Sequence, residues 1–157
     1  SGKELFMKKN SLENNSNKTL ELATFFIGDA LCGIDILNIQ EINRHMEATW
    51  VPQAPDYIIG VLNLRGRIVS VIDLGKKLGL SPIKKSKNSR NIIIQSQDEQ
   101  LGFMVDSISD VLLAETDKIE PAPANIGSLQ GRYFKGVFKT KDSLIGILDI
   151  DEALKDQ

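Results

Sequence analysis

An internal repeat is the feature that most constrains the fold of this 157-residue chain. Without a gap, residues 57–78 align with residues 133–154 at an offset of 76 positions. Five of the 22 aligned pairs are identical, and seven more are apolar on both sides. The segments ahead of them, residues 31–35 and 101–106, correspond more weakly and with a one-residue adjustment. A fixed internal period predicts two similar folding units.

The repeated segments are rich in β-branched apolar residues. The chain contains 19 Ile and 7 Val, clustered in short runs that Gly, Asp, Asn and Ser separate, which is typical of β-strands. A short helix is predicted over residues 74–78, with Asp73 as its N-cap and Gly79 at its end. The predicted strands are residues 22–27, 31–34, 60–64, 67–72, 91–95, 101–105, 133–138 and 144–148.

Each repeat holds about five short strands, and small antiparallel sheets usually close to remove exposed edges. We therefore predict a mostly β chain of two tandem five-stranded β-barrel subdomains with short helices. The first subdomain is predicted at residues 19–80 and the second at 91–157, and an exchange of strands between them stays open. Residues 1–18 are predicted to be a disordered tail because they contain few apolar residues, and residues 81–90 an exposed connector.

Composition and charge argue against several classes of partner. A formal net charge of −2 creates no overall field for nucleic acid or an anionic membrane. The apolar runs are far shorter than the ~18 residues that a membrane span needs, so no membrane insertion is expected. One cysteine, Cys32, and no secretory signal predict a cytoplasmic protein. The basic run from Lys84 to Arg90 keeps a small-barrel nucleic-acid-binding protein as a remote alternative, although no aromatic residues interleave it.

Side chains for catalysis or metal binding are scarce. His45 is the one histidine and Cys32 the one cysteine, too few for a zinc site or a nucleophile with its histidine base. No glycine-rich phosphate-binding motif is present. Asp73 and Asp149 occupy equivalent positions in the two repeats, where N-capping explains an aspartate better than acid catalysis does. We therefore expect no enzymatic activity, no metal and no cofactor.

A pair of charged residues remains as a candidate for function. In residues 60–67 an apolar strand runs into a turn at Gly66, and Asn63 and Arg65 alternate away from its apolar face. Arg65 needs an acidic partner, for which Glu41 is the candidate. From the residues alone, an ordinary surface arginine and an ordinary surface glutamate are about equally supported.

These residues resemble the CheW family of chemotaxis coupling proteins. Residues 59–74 look like the family's G-V-x-N-L-R-G signature and the strand that follows it, with Ser70 where many members have Pro. Gln40-Glu41-Ile42 looks like the upstream V-x-E-[IV] element, and residues 101–106 resemble the G-[LF]-x-V-D strand of the second lobe. The resemblance covers roughly residues 20 to 154.

The resemblance implies two SH3-like barrels and a non-catalytic adaptor. Such an adaptor would couple chemoreceptor (methyl-accepting chemotaxis protein) cytoplasmic tips to the regulatory domain of the histidine kinase CheA, and would be recruited to membrane receptor arrays. The alternative is a CheW-like domain of a larger chemotaxis protein, either a kinase regulatory domain or a receiver-fused adaptor. Val105 and Ile108 are expected to line an apolar groove between the lobes. The implied kinase- and receptor-binding residues are Ile39, Glu41, Gly60, Val61, Asn63, Arg65, Val105 and Ile108.

Overall fold

The computed structural model describes residues 18–44 and 47–155, which contain twelve strands and two short α-helices. His45 and nearly all of the predicted tail lie outside the described residues. In chain order the elements are β1 (Thr19–Ile27), β2 (Ala30–Asp35), β3 (Ile39–Arg44), β4 (Ile58–Leu64), β5 (Arg67–Asp73), α1 (Leu74–Lys77), β6 (Arg90–Ser96), β7 (Glu99–Val105), β8 (Ser107–Glu115), β9 (Asn125–Ile126), β10 (Leu129–Gln130), β11 (Phe134–Lys139), β12 (Leu144–Leu148) and α2 (Ile150–Leu154).

All eight predicted strands are present, and the prediction of a mostly β protein with two five-stranded subdomains is confirmed. The apolar pattern did not predict β3, β8 or the two-residue strands β9 and β10. β3 contains no fully buried residue and β8 contains one, Ala114. Strands with so little buried surface show a weak apolar signal, because apolar patterning reports burial on one face.

The two sheets exchange strands. Sheet 1 has the order β11-β12-β2-β1-β8, and sheet 2 has the order β3-β6-β7-β5-β4. Each sheet therefore combines the first two strands of one repeat with later strands of the other. The predicted boundaries at residues 80 and 91 do not separate the subdomains, because the chain crosses between sheets after β2 and again after β7. The exchange that sequence analysis left open does occur.

Parallel strand pairs show that the exchange is symmetrical. β5 pairs with β7, where Val71 lies opposite Gly102, and β12 pairs with β2, where Ile147 lies opposite Gly33. Val71 and Ile147 are aligned by the repeat. The two subdomains are therefore built on one plan, each completed by strands from the other repeat.

A glycine at the same place in both repeats makes room for the backbone of another segment, which contains Thr49 in the first repeat and Glu120 in the second. We call this the crossing segment of each repeat. β4 carries an irregularity in register at Gly60, and β11 carries one at Gly136. A Cβ atom at Gly60 would collide with the carbonyl oxygen of Thr49, and one at Gly136 would lie 2.7 Å from that of Glu120. The strand residue after each glycine pairs with the crossing segment: Val61 with Thr49, and Val137 with Glu120.

The main apolar core is shared by the two sheets. Phe25 of β1 and Phe103 of β7 are both fully buried in one continuous cluster, although their strands belong to different sheets. A smaller cluster around Leu22 and Ile145 fills sheet 1. Because the main cluster contains residues of both sheets, neither sheet has a complete core of its own. Burial of apolar surface is the dominant favourable contribution to folding.

Both predicted N-caps are confirmed. The Asp73 carboxylate accepts hydrogen bonds from the backbone N–H of Lys76 and of Ile83, each at 3.0 Å, and Asp149 accepts one from Glu152 at 3.1 Å. Gly79 follows α1 with φ of +86°. The bond to Ile83 draws that side chain into the core, so the connector over residues 81–90 is not exposed throughout.

Candidate docking surfaces

The predicted contact between Arg65 and Glu41 is present. Arg65 Nη2 lies 3.2 Å from Glu41 Oε2, and the arginine side chain is 81% exposed against 26% for the glutamate. Arg65 and Gly66 form the turn between β4 and β5 with φ of +54° and +81°, and Asn63 Oδ1 accepts a hydrogen bond from the Gly66 N–H at 3.0 Å. Two central residues with positive φ are typical of a type I′ hairpin turn. The turn thus directs a guanidinium outward, and Glu41 fixes its direction.

Amide side chains extend this polar region across sheet 2. Gln40 Nε2 donates to Gln95 Oε1 at 2.7 Å, and Gln100 Nε2 donates to Gln40 Oε1. A depression of about 250 Å³ lies among these groups. We call its lining the Arg65 surface, which consists of Gln40, Glu41, Leu64, Arg65, Arg67 and Gln100.

Gly60 and Val61 were predicted to bind partners, but they lie beside the crossing segment. Gly60 is buried against Thr49, and Val61 is half-buried and exchanges backbone hydrogen bonds of 2.7 and 2.8 Å with the same residue. Ile39, also predicted, is half-buried at the start of β3 and packs against the main core. The lining of the Arg65 surface includes none of these three residues.

Val105 was predicted to line an apolar groove between the lobes. Its side chain is fully buried at the end of β7. The crossing that follows is held in place, since the Asp106 N–H donates to the Phe26 carbonyl at 3.0 Å and Asp106 Oδ2 accepts from the Gly28 N–H at 2.6 Å. Ile108, two residues further on, is half-buried and packs against the main core.

Sequence analysis missed an exposed aliphatic pair on β8. Val111 is 57% exposed and Leu113 is 63% exposed. They lie two residues apart on one face of an edge strand, while Ala114 faces the core. A strand with one solvated face needs apolar residues only at alternate positions. The unbroken apolar run over residues 111–114 therefore contained the signal that some of its apolar side chains are exposed. We call Val111 and Leu113 the β8 patch.

A cavity of about 620 Å³ lies beside α1 and α2. Lys77 of α1 is buried there, with its Nζ donating to the Lys155 carbonyl at 2.6 Å and lying 5.0 Å from the centre of the Tyr57 ring. A cation at the carbonyl end of a helix is favourable. This contact therefore joins α1, which follows β5 of sheet 2, to α2, which follows β12 of sheet 1. We interpret it as a structural tie between the subdomains.

Groups that could perform chemistry are not assembled in the described part of the chain. Among residues 18–44 and 47–155, no cluster of three or more His, Cys, Asp or Glu side chains could hold a metal ion. Cys32 is buried, and burial raises its thiol pKa to about 12. No helix in these residues is long and apolar enough to cross a membrane.

The fold and its surfaces define a class of protein, a scaffold of two small β-barrels that presents a polar surface on one sheet and an aliphatic edge on the other. Residues 21–157 match the family described as the CheW-like domain. The chain belongs to this family, and it is a non-catalytic chemotaxis scaffold.

Individual relatives match along most of their length. The chain is 33% identical to the chemotaxis protein CheW of Helicobacter pylori over 92% of this chain and 87% of that protein. It is 34% identical to the chemotaxis protein CheW of Klebsiella aerogenes over 87% of this chain and 82% of that protein. The crystal structure of the scaffolding protein TtCheW from Thermoanaerobacter tengcongensis is similar with a TM-score of 0.79 and 31% identity, over 87% of this chain and 88% of that one.

Proposed function

We propose that this scaffold couples the cytoplasmic tips of chemoreceptors to the regulatory domain of the histidine kinase CheA. The observation that carries the proposal is the presence of two chemically different surfaces on different sheets. The Arg65 surface is polar and belongs to sheet 2, whereas the β8 patch is aliphatic and belongs to sheet 1. Two surfaces on separate sheets allow one molecule to hold two partners at once.

The β8 patch is suited to the apolar face of a receptor helix. Residues two apart on a strand are separated by about 6.6 Å, and residues i and i+4 on a helix by about 6 Å along its axis. Val111 and Leu113 therefore match one pair of apolar anchors on an amphipathic helix. Ile108, half-buried on the same strand, extends this contact towards the crossing.

The Arg65 surface is suited to a polar contact with the kinase. A guanidinium has five N–H donors, and the contact with Glu41 uses one of its nitrogens, Nη2. The remaining donors can reach carboxylates or carbonyl oxygens of a partner. Because an exposed ion pair contributes little to stability, we assign this pair to recognition more than to folding.

Recruitment to membrane receptor arrays follows from the same proposal. The described residues contain no helix that could cross a membrane, so the proposed location depends on receptor binding. Removing the receptor-binding surface should release the chain from the arrays while leaving its fold intact.

The test measures binding to a receptor-tip fragment and to the kinase regulatory domain by calorimetry, separately and together. Arg65→Asp should weaken kinase binding at least tenfold, since the reversed charge faces Glu41 and the partner's acceptors. Lys141→Asp is the matched control, because the repeat aligns Lys141, in the exposed turn between β11 and β12, with Arg65. Equal losses in the two variants would contradict a specific role for the Arg65 surface.

The same assay tests the β8 patch. Val111→Asp should weaken receptor binding more than kinase binding, because a carboxylate in an apolar contact must be desolvated without a partner. We expect the unmodified chain to form a ternary complex with both partners, and neither Arg65→Asp nor Val111→Asp to do so. If the unmodified chain binds neither partner, the proposed coupling function is wrong.

A further inference from the structure

The β8 patch lies next to the point where the N-terminal segment joins the described structure. Thr19 pairs with Glu115, and the Lys18 carbonyl accepts hydrogen bonds from the backbone N–H and the Oγ1 of Thr116, each at 3.1 Å. Along a strand, Leu113 then lies about 7 Å and Val111 about 13 Å from this junction. The described structure therefore begins close to both residues of the patch.

Acidic side chains border the β8 patch. Glu21 of β1 is exposed and lies directly opposite Leu113 in the sheet register. Within the described ranges Glu21 makes no ion pair, whereas Glu115 is paired with Lys118 at 2.8 Å. A lysine brought to this edge would therefore meet an available carboxylate beside two exposed aliphatic groups.

The N-terminal segment has the complementary composition. Residues 3–9 read Lys-Glu-Leu-Phe-Met-Lys-Lys, so three consecutive apolar side chains have lysines on both sides. Phe6 precedes Lys18 by twelve positions. A flexible chain of that length has a root-mean-square span of about 19 Å, which is comparable with the distances to the patch. Length, charge and apolar content all match the same surface.

We propose that residues 5–9 dock on the β8 patch of the same chain. Leu5, Phe6 and Met7 cover Val111 and Leu113, and the two lysines that follow lie near Glu21. A tether of this length supplies an effective concentration in the millimolar range, so a weak contact is populated. The segment then competes with a receptor helix for the patch, a consequence that rests on the proposed function.

Cleavage by chymotrypsin after Phe6 measures docking without any partner. The rate in the full chain is followed by mass spectrometry and divided by the rate for a free peptide of residues 1–17. Leu113→Ser should raise the normalised rate about two- to fivefold, because cleavage follows the undocked fraction. The matched control is Ile68→Ser, since Ile68 is 65% exposed on β5 of the other sheet, and it should leave the rate unchanged.

A charge exchange tests the acidic border without altering the apolar surface. Glu21→Lys should also accelerate cleavage. Adding Lys8→Glu and Lys9→Glu to the Glu21→Lys chain should restore protection. Each rate is divided by the rate for the free peptide of the same sequence. Protection should persist on about a hundredfold dilution, because a tethered contact does not depend on protein concentration. Protection that is lost on dilution would assign the patch to a second copy and overturn the proposal, as would a Leu113→Ser rate equal to that of the unmodified chain.

Calorimetry with the receptor-tip fragment separates this proposal from the proposed function. Removal of residues 1–17 should raise the affinity about two- to fivefold, the inverse of the undocked fraction. Equal affinities of the two forms would overturn the competition. Failure of both forms to bind, with Phe6 still protected, would overturn receptor coupling and leave the docking of residues 5–9 supported.

Discussion

Arg65 lies in a backbone conformation that residues other than glycine, asparagine and aspartate seldom adopt. Its φ of +54° is required by the tight turn into Gly66, and the guanidinium gains little stability from an exposed contact with Glu41. A strained residue retained at a candidate binding surface is consistent with selection for recognition. Stability and binding should therefore respond in opposite directions at this position.

Arg65→Asn tests this opposition. Asparagine tolerates positive φ, so the free energy of unfolding should rise by up to about 1 kcal/mol in urea denaturation. Binding to the kinase regulatory domain should fall at the same time, because the guanidinium is lost. A variant that is both less stable and unchanged in binding would contradict the roles given to the turn and the side chain.

Cys32 illustrates burial at the same scale. Its thiol has an ordinary pKa of 9.0 that burial raises to about 12, so only the unfolded chain releases the proton between these values. The free energy of unfolding should therefore contain a contribution that falls as the pH rises above about 9. Cys32→Ala should lack this contribution.

The native chain should also react very slowly with a thiol reagent at pH 8, and at the rate of a free thiol in denaturant. Absorbance of the released chromophore checks the expected difference. Fast reaction of the folded chain would show that Cys32 is accessible.

At the scale of elements, Gly60 of β4 and Gly66 of the turn that follows β4 have two different functions. Gly60 leaves space for the Thr49 backbone. Gly66 instead supplies a φ of +81°, and a Cβ atom added there would meet no other atom within 4 Å. The first glycine is required by a long-range contact and the second by local conformation. Substitution should therefore be more costly at Gly60 than at Gly66.

Gly60→Ala should lower the free energy of unfolding by about 2–3 kcal/mol, because the Thr49 segment must move. Gly66→Ala should cost about 1 kcal/mol, because only backbone conformation is strained. Urea denaturation of both variants gives the comparison. Equal losses would mean that the crossing segment adapts without cost.

At the scale of the molecule, exchanged strands make the two sheets dependent on each other. Sheet 1 needs β1 and β2 from the first repeat, and sheet 2 needs β6 and β7 from the second. The core around Phe25 and Phe103 joins them, and the bond from Lys77 to the Lys155 carbonyl ties the two helices. Independent tandem barrels would have none of these dependencies.

The whole chain should therefore unfold in one transition, with calorimetric and van't Hoff enthalpies that agree. Cleavage in the exposed stretch of residues 84–88 should yield two fragments that are unfolded when separated. Mixing them should restore the circular dichroism of the intact chain, because each fragment holds strands that the other needs. Two separate thermal transitions would contradict this interdependence.

The sequence by itself determined the local features. The repeat, the eight strands with strong apolar patterning, the caps at Asp73 and Asp149, and the turn at Gly66 all depend on residues close together in the chain. The resemblance to the family also came from such local motifs. Hydrogen bonding within a turn or a cap is decided by neighbouring side chains, which explains why these predictions were confirmed.

Only the tertiary structure decided which strands pair and which apolar residues remain exposed. Val105 and Val111 both lie in apolar runs, yet the first is fully buried and the second lies on an edge. The difference arises because the chain crosses between sheets after β7, a choice governed by contacts between segments far apart in sequence. Pairing energies of that kind are summed over both sheets, so no local pattern reports them.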